Sequence, residues 1–107
     1  MALLMIEKSE MTFDLVESDG HSVTVTIRGE LDMTNVDELS AAVAPHLDRE
    51  PARLIVDVHD LRFADSSAIA LWVQWATRVP DIELRDVPAL LRRVVESMGL
   101  ADTLKVA

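Results

Sequence analysis

The sequence predicts an α/β domain: a mixed, mostly parallel sheet of about four strands packed with three to four helices, in the order β-β-α-β-α-β-α. Three observations lead there. Two early segments alternate apolar and polar residues with a period of two and are separated by a turn, which reads as a hairpin. Beyond them strand-like and helix-like runs alternate, the pattern that builds parallel sheets through crossover connections. Leu54-Ile55-Val56-Asp57-Val58 is apolar apart from Asp57, as suits a central strand covered on both faces. With 107 residues the chain can bury one modest core and not two.

Residues 1–10 carry little pattern and are expected to be an N-terminal extension, with the domain running over 11–107. From Met11 the chain reads as a strand, Met11, Phe13 and Leu15 alternating with polar neighbours. Ser18-Asp19-Gly20-His21 is a turn. Val23, Val25 and Ile27 alternate with threonines in a second strand, and Gly29-Glu30-Leu31-Asp32 leads out of it. Thr34 is placed as an N-cap, with Asp37 and Glu38 in the first turn. Val36, Leu39, Val43 and Leu47 follow at helical spacing, and Pro45 is expected to kink or shorten that helix. After the Leu54–Val58 strand comes Asp65-Ser66-Ser67, and then an apolar helical run from Ile69 to Ala76. Ala68, Ile69, Trp72, Val73, Trp75, Ala76 and Val79 share one broad arc of it, with Leu71 at the edge and partly exposed. Ile82 to Val87 reads as the last strand. Pro88 opens the last helix, whose buried stripe is expected to be Leu90, Leu91, Val94, Val95 and Met98, and Gly99 is placed for its C-terminal cap.

Composition removes several function classes. There is no cysteine, so disulfides, a thiol nucleophile and a cysteine zinc site are out. Lys and Arg number 10 against 19 Asp and Glu, a formal charge of −9. Nucleic acid and anionic membrane surfaces are therefore poor partners, while a basic protein surface would suit. The apolar stretch Ala2–Ile6 is too short for a signal peptide or a membrane span, and a cytoplasmic location is expected. His21, His46 and His59 have no ligand spacing, so no metal and no cofactor are expected. Asp57 reads as a structural residue bonded to backbone or a nearby turn.

Chemistry concentrates at Asp65-Ser66-Ser67. A strand-to-helix junction with hydroxyls at its tip faces the free N–H groups and positive dipole end of a helix, a place that favours an anion such as phosphate. As structural residues the two serines would be N-caps; as exposed hydroxyls they would be open to a kinase. A serine hydrolase is disfavoured, because the glycines of a nucleophile elbow are absent around Ser66 and Ser67.

Asp60-Leu61-Arg62-Phe63-Ala64-Asp65-Ser66-Ser67-Ala68-Ile69 resembles the signature of STAS domains, specifically the bacterial anti-sigma-factor antagonists. Gly29-Glu30-Leu31-Asp32 and Ser97-Met98-Gly99-Leu100 resemble two further patches of that family, in the same order. The resemblance implies a regulator and not an enzyme. Unphosphorylated, it would bind an anti-sigma factor with serine kinase activity; phosphorylation of Ser66 would end the complex, and a serine phosphatase would reset it. Asp32, Asp65, Ser67 and Ala68 would form the surroundings of the phosphoacceptor and the partner surface. Ala68 stands where the family usually has glycine, and its methyl is expected to meet the partner's backbone. The alternative implied by the same resemblance is a STAS scaffold subunit of a lipid-transport ATPase or stress-signalling assembly that never cycles through phosphate. The breadth of the apolar helix and Ala68 motivate that alternative.

Overall fold

The computed structural model of the chain describes residues 9–19 and 21–106. Its elements are β1 (Met11–Ser18), β2 (Ser22–Leu31), α1 (Val36–Leu47), β3 (Arg53–Asp57), β4 (Leu61–Ala64), α2 (Ser66–Ala76), β5 (Asp81–Arg85), α3 (Ala89–Ser97) and α4 (Ala101–Leu104). They form one α/β domain with a mixed five-stranded sheet, ordered β1-β2-β3-β5 with β4 paired to β2. The hairpin β1/β2 is antiparallel, from Met11 opposite Gly29 to Ser18 opposite Ser22. All other pairings are parallel.

The fifth strand, β4, is an addition to the order read from sequence. Four residues long, with Leu61 buried and Arg62 and Phe63 exposed, it carries no alternation of its own. It exists because β2 is ten residues long. β3 takes the first half of one β2 edge (Ser22–Thr26), and β4 takes the remainder (Gly29–Leu31). Where one partner hands over to the other, the register shifts between Gly29 and Glu30. Gly29 has φ +89°, and a Cβ there would collide with the Glu10 carbonyl oxygen, so both conformation and space demand glycine.

The sheet buries one face. Val23, Val25, Ile27, Leu54, Val56, Ile82 and Leu84 all sit in the core, in one cluster with buried residues from all four helices. The opposite face is polar: Thr24, Thr26, Arg53, Asp57, Glu83 and Arg85 are half-buried there. Arg53 and Arg85 both pair with Glu83, at 2.6 and 2.7 Å. The expectation that Leu54–Val58 is covered on both faces is thus corrected. Ile55 is buried on the polar face but outside the main core cluster, and its register neighbours Thr24 and Glu83 show which side it is on.

Trp72 and Trp75 are core residues, as is Leu71, which sequence placed at an exposed edge. Pro45 lies in the last turn of α1, which continues to Leu47. A proline there forfeits one hydrogen bond close to where the helix ends anyway. Helix α3 departs most from expectation. Leu91 and Val95 are buried, but Leu90, Val94 and Met98 face solvent. Its apolar arc is broader than the core can cover, and only one side of the arc is in contact. Gly99 does end α3, with φ +72°. Its N–H donates to the Glu96 carbonyl at 3.0 Å, and the Leu100 N–H to the Val95 carbonyl at 3.0 Å, a Schellman arrangement.

Candidate functional site

β2 and β4 run parallel and end together, Leu31 opposite Ala64. The next residues, Asp32 and Asp65, therefore leave the sheet side by side at the carboxyl ends of adjacent strands, the edge where α/β sheets commonly place ligands. Each opens a turn into a helix, Asp32 towards α1 and Asp65 into α2.

Asp65 is the N-cap of α2, in extended conformation (φ −97°, ψ −173°). One carboxylate oxygen accepts from the Ser67 N–H at 2.9 Å and the Ala68 N–H at 3.2 Å; the other accepts from the Met33 N–H at 3.1 Å. The Asp65 N–H in turn donates to the Leu31 carbonyl at 3.2 Å. A single side chain thus closes the first turn of α2 and ties it to the turn that leads into α1. This corrects the capping role read for Ser66 and Ser67. The helix begins ahead of the apolar run, so these serines are its first two residues, and the carboxylate before them takes the N–H groups that a serine cap would have used.

Ser66 is exposed, and its hydroxyl makes no hydrogen bond to a described residue. Ser67 is half-buried behind it. Ala68 contributes only its N–H. Its methyl is fully buried in the core, so the expectation that it meets a partner's backbone is corrected: the side chain points into the protein.

Asp32 is held by hydroxyls. Its carboxylate accepts from the Ser9 hydroxyl, from the Thr34 hydroxyl at 2.6 Å and from the Thr34 N–H at 2.9 Å. The Ser9 bond first, then those from Thr34, keep its carboxyl below the usual aspartate range. Thr34 is accordingly not the N-cap of α1, which is Asn35; its hydroxyl is spent on Asp32 and also accepts from the Ser9 N–H at 3.0 Å. Asn35 is buried, and its side chain links three backbone groups. It accepts from the Asp32 N–H at 3.1 Å and donates to the carbonyls of Ser9 (3.0 Å) and Glu30 (2.8 Å). Sequence reading missed both Asn35 and Ser9. No local pattern marks them, because their partners lie up to 26 positions away. Ser9 and Glu10, on the extension side of the expected boundary, are tied to the domain, Glu10 by accepting from the Glu30 N–H at 2.9 Å.

The histidines stand apart from Ser66. His46 pairs with Glu17 at 2.6 Å. His59 pairs with Asp57 at 2.7 Å and Asp60 at 3.0 Å. Asp57 also accepts from the His59 N–H at 3.1 Å, in keeping with its structural reading. Burial pushes Asp57 upward, but the bonds from His59 outweigh it and its carboxyl lies below the usual range. The same hydrogen bond raises His59. Among the described residues no group of His, Cys, Asp and Glu is arranged to hold a metal, and no helix is long and apolar enough to cross a membrane. The junction thus presents an exposed hydroxyl at a helix start that bonds no described residue. It is reachable from solvent, and among the described residues no base is bonded to it.

A protein-family model described as "Mlab, STAS domain" matches residues 15–106. No curated protein matches the sequence. Solved structures similar to this chain include an anti-sigma factor antagonist from Mycobacterium paratuberculosis, with a TM-score of 0.82 and 20% identity, covering 91% of this chain and 85% of that one. SpoIIAA in its unphosphorylated form gives a TM-score of 0.77 at 22% identity, covering 90% and 88%. The Bacillus cell fate determinant SpoIIAA in the phosphorylated form gives 0.70 at 22%, covering 90% and 91%. The family model spans most of the sequence, and the chain belongs to the STAS domain family.

Proposed function

We propose that this protein is an anti-sigma-factor antagonist, a binding module that works by partner switching. Unphosphorylated, it binds an anti-sigma factor that is also a serine kinase; phosphorylation of Ser66 ends the complex, and a serine phosphatase restores it. The observation that carries this reading is Ser66 itself, an exposed hydroxyl without a hydrogen-bond partner among the described residues, at the first position of α2. The likeness to anti-sigma factor antagonists, with SpoIIAA in both phosphorylation forms among them, supports it.

The local geometry says how a phosphate would act. Its charge, roughly −1.5 to −2, would ordinarily be welcomed by free N–H groups at a helix start. Here the Ser67 and Ala68 N–H groups are already bonded to Asp65. A phosphate on Ser66 would stand beside a carboxylate and keep its charge at the surface, where a docked partner would meet it. The switch is then electrostatic and local, with no refolding of the domain.

The test is direct. Incubation with the cognate kinase and ATP should place one phosphate on Ser66; phosphate on another residue, or none, overturns the reading. In a pull-down, wild type and Ser66→Ala should retain the anti-sigma factor and Ser66→Asp should lose it. Recovery of a transport ATPase subunit by all three would favour the scaffold alternative. Both features that motivated that alternative, the broad apolar arc of α2 and Ala68, are consumed by the core.

A further inference from the structure

Three residues before Ser66 the chain exposes Phe63 (51%), and across from it α3 exposes Leu90 (73%) and Val94 (38%). Together with Leu61, Ala64, Pro88 and Leu91 these residues line a cleft of about 210 Å³ between β4 and α3. Leu90 and Val94 are one helical turn apart and point the same way, so α3 offers the cleft a continuous apolar stripe. An apolar depression that leaves Phe63 and Leu90 half or more in water is unusual for a surface that needs no partner.

The charges around it say what the partner carries. Arg28, Arg49, Arg53, Arg78, Arg85 and Lys105 each hold a carboxylate. Arg92 is engaged as well. Arg62 and Arg93 have no ion pair with any described residue, although the chain has 19 carboxylates to offer. Only the first lines the cleft; the second stands outside it on α3. Arg93 is exposed one turn from Leu90, flanking the apolar stripe. In a chain of net charge −9, two guanidinium groups with no ion pair to a described residue, one lining the cleft and one beside its α3 stripe, form a local site for carboxylates, which guanidinium binds in bidentate geometry.

We propose that the cleft between β4 and α3 receives an amphipathic helix of a protein partner, one that sets carboxylates against Arg62 and Arg93 and apolar side chains against Phe63, Leu90 and Val94. Phe63 and Ala64 run directly into Asp65 and Ser66, so a helix seated there lies beside the phosphoacceptor. The proposal extends the partner-switch reading and rests on it for the claim that one partner makes both contacts.

The experiment replaces Leu90 with the photo-crosslinker p-benzoylphenylalanine in the full chain, expressed in its own cells, with Ala41 on α1 as the control position. The crosslinked peptide is sequenced. The expected result is a peptide from another protein, with Asp or Glu at helical spacing beside leucine-class residues, captured at position 90 and not at 41. Yield should fall at least tenfold in Arg62→Glu/Arg93→Glu, as expected when rim charges are reversed. Both arginines and Leu90 are exposed, and thermal unfolding of each variant should match wild type. No crosslink at 90, capture of a second copy, of this chain's own N-terminal residues, of lipid or of a basic peptide, or indifference to the charge reversal, overturns the proposal. The Ser66→Asp background separates the two readings. Capture that persists there leaves the cleft standing and removes the switch, whereas a Ser66-dependent pull-down without capture at 90 does the reverse.

Discussion

Two junctions of this protein begin alike and end differently. At the end of β2, Leu31-Asp32-Met33-Thr34-Asn35 leads into α1; at the end of β4, Ala64-Asp65-Ser66-Ser67-Ala68 leads into α2. Both set an aspartate just past a strand of the same sheet and follow it with hydroxyl residues. In the first, the Thr34 hydroxyl is bonded to Asp32 and Ser9, and Asn35 is buried with three backbone partners. In the second, among the described residues, the aspartate's side chain bonds three backbone N–H groups and the Ser66 hydroxyl bonds none. A hydroxyl is available for chemistry when the fold satisfies the backbone around it by other means. The α1 junction uses up its polar groups on structure. The α2 junction delegates that work to Asp65, and the Ser66 hydroxyl is spent on no described residue.

The largest effect should come from breaking the saturated junction. Asn35→Ala strands the Ser9 and Glu30 carbonyls and the Asp32 N–H in a buried site, a loss of about 3 kcal/mol. Chemical denaturation should show the midpoint fall; a loss under about 1 kcal/mol would mean that the α1 junction is no more rigid than the other. Asp65→Ala should cost about 1–2 kcal/mol as a lost cap, and Asp65→Ser should recover most of that. Amide exchange at Met33, Ser67 and Ala68 should accelerate together in Asp65→Ala, because one carboxylate holds all three. Exchange at Ser67 alone would show that the clamp between the junctions is absent.

Asp32 supplies a smaller, pH-dependent contrast. Its folded pKa is depressed, so its contribution to stability is present above the unfolded value of about 3.9 and is lost as pH falls through the folded value. Asp32→Asn should flatten the acid limb of the stability profile below about pH 4. Wild-type and variant profiles that stay parallel down to pH 3 would remove Asp32 from the locked junction. The smallest effect should be that of Ser66→Ala, within about 0.5 kcal/mol of wild type by thermal unfolding, since its hydroxyl bonds no described residue. A larger loss would show that Ser66 has a structural task after all.

Much of this was legible beforehand, and the gaps share one cause. The hairpin, the Leu54-rich strand and the Trp72–Trp75 face are written in local periodicity, and the structure follows them. Asp65-Ser66-Ser67 was recognisable as a helix start because short polar residues before an apolar run are what a helix N-terminus requires. Which residue caps was not legible, since Asp65, Ser66 and Ser67 are all competent; the start of α2 at Ser66 decides it. The inward Leu71 and the outward Leu90 and Val94 were misread for a related reason. Periodicity shows how much apolar surface a helix has, and says nothing of how much of it a neighbour will cover.

By itself, then, the sequence determined the α/β class, the order of its main strands and helices and the position of the Asp-Ser-Ser junction, all of which depend on residues within about one or two turns of one another. The tertiary structure decided the rest. β4 became a strand through its pairing with β2, and Asp32 came to stand beside Asp65 through the Leu31–Ala64 register. The Met33 N–H met the Asp65 carboxylate 32 positions away, and Arg62, lining an open apolar cleft, was left without a carboxylate among the described residues. These are pairings between segments far apart in the chain. Their energies come from hydrogen bonds and burial that exist only once the sheet has brought the segments together, so no local pattern could record them.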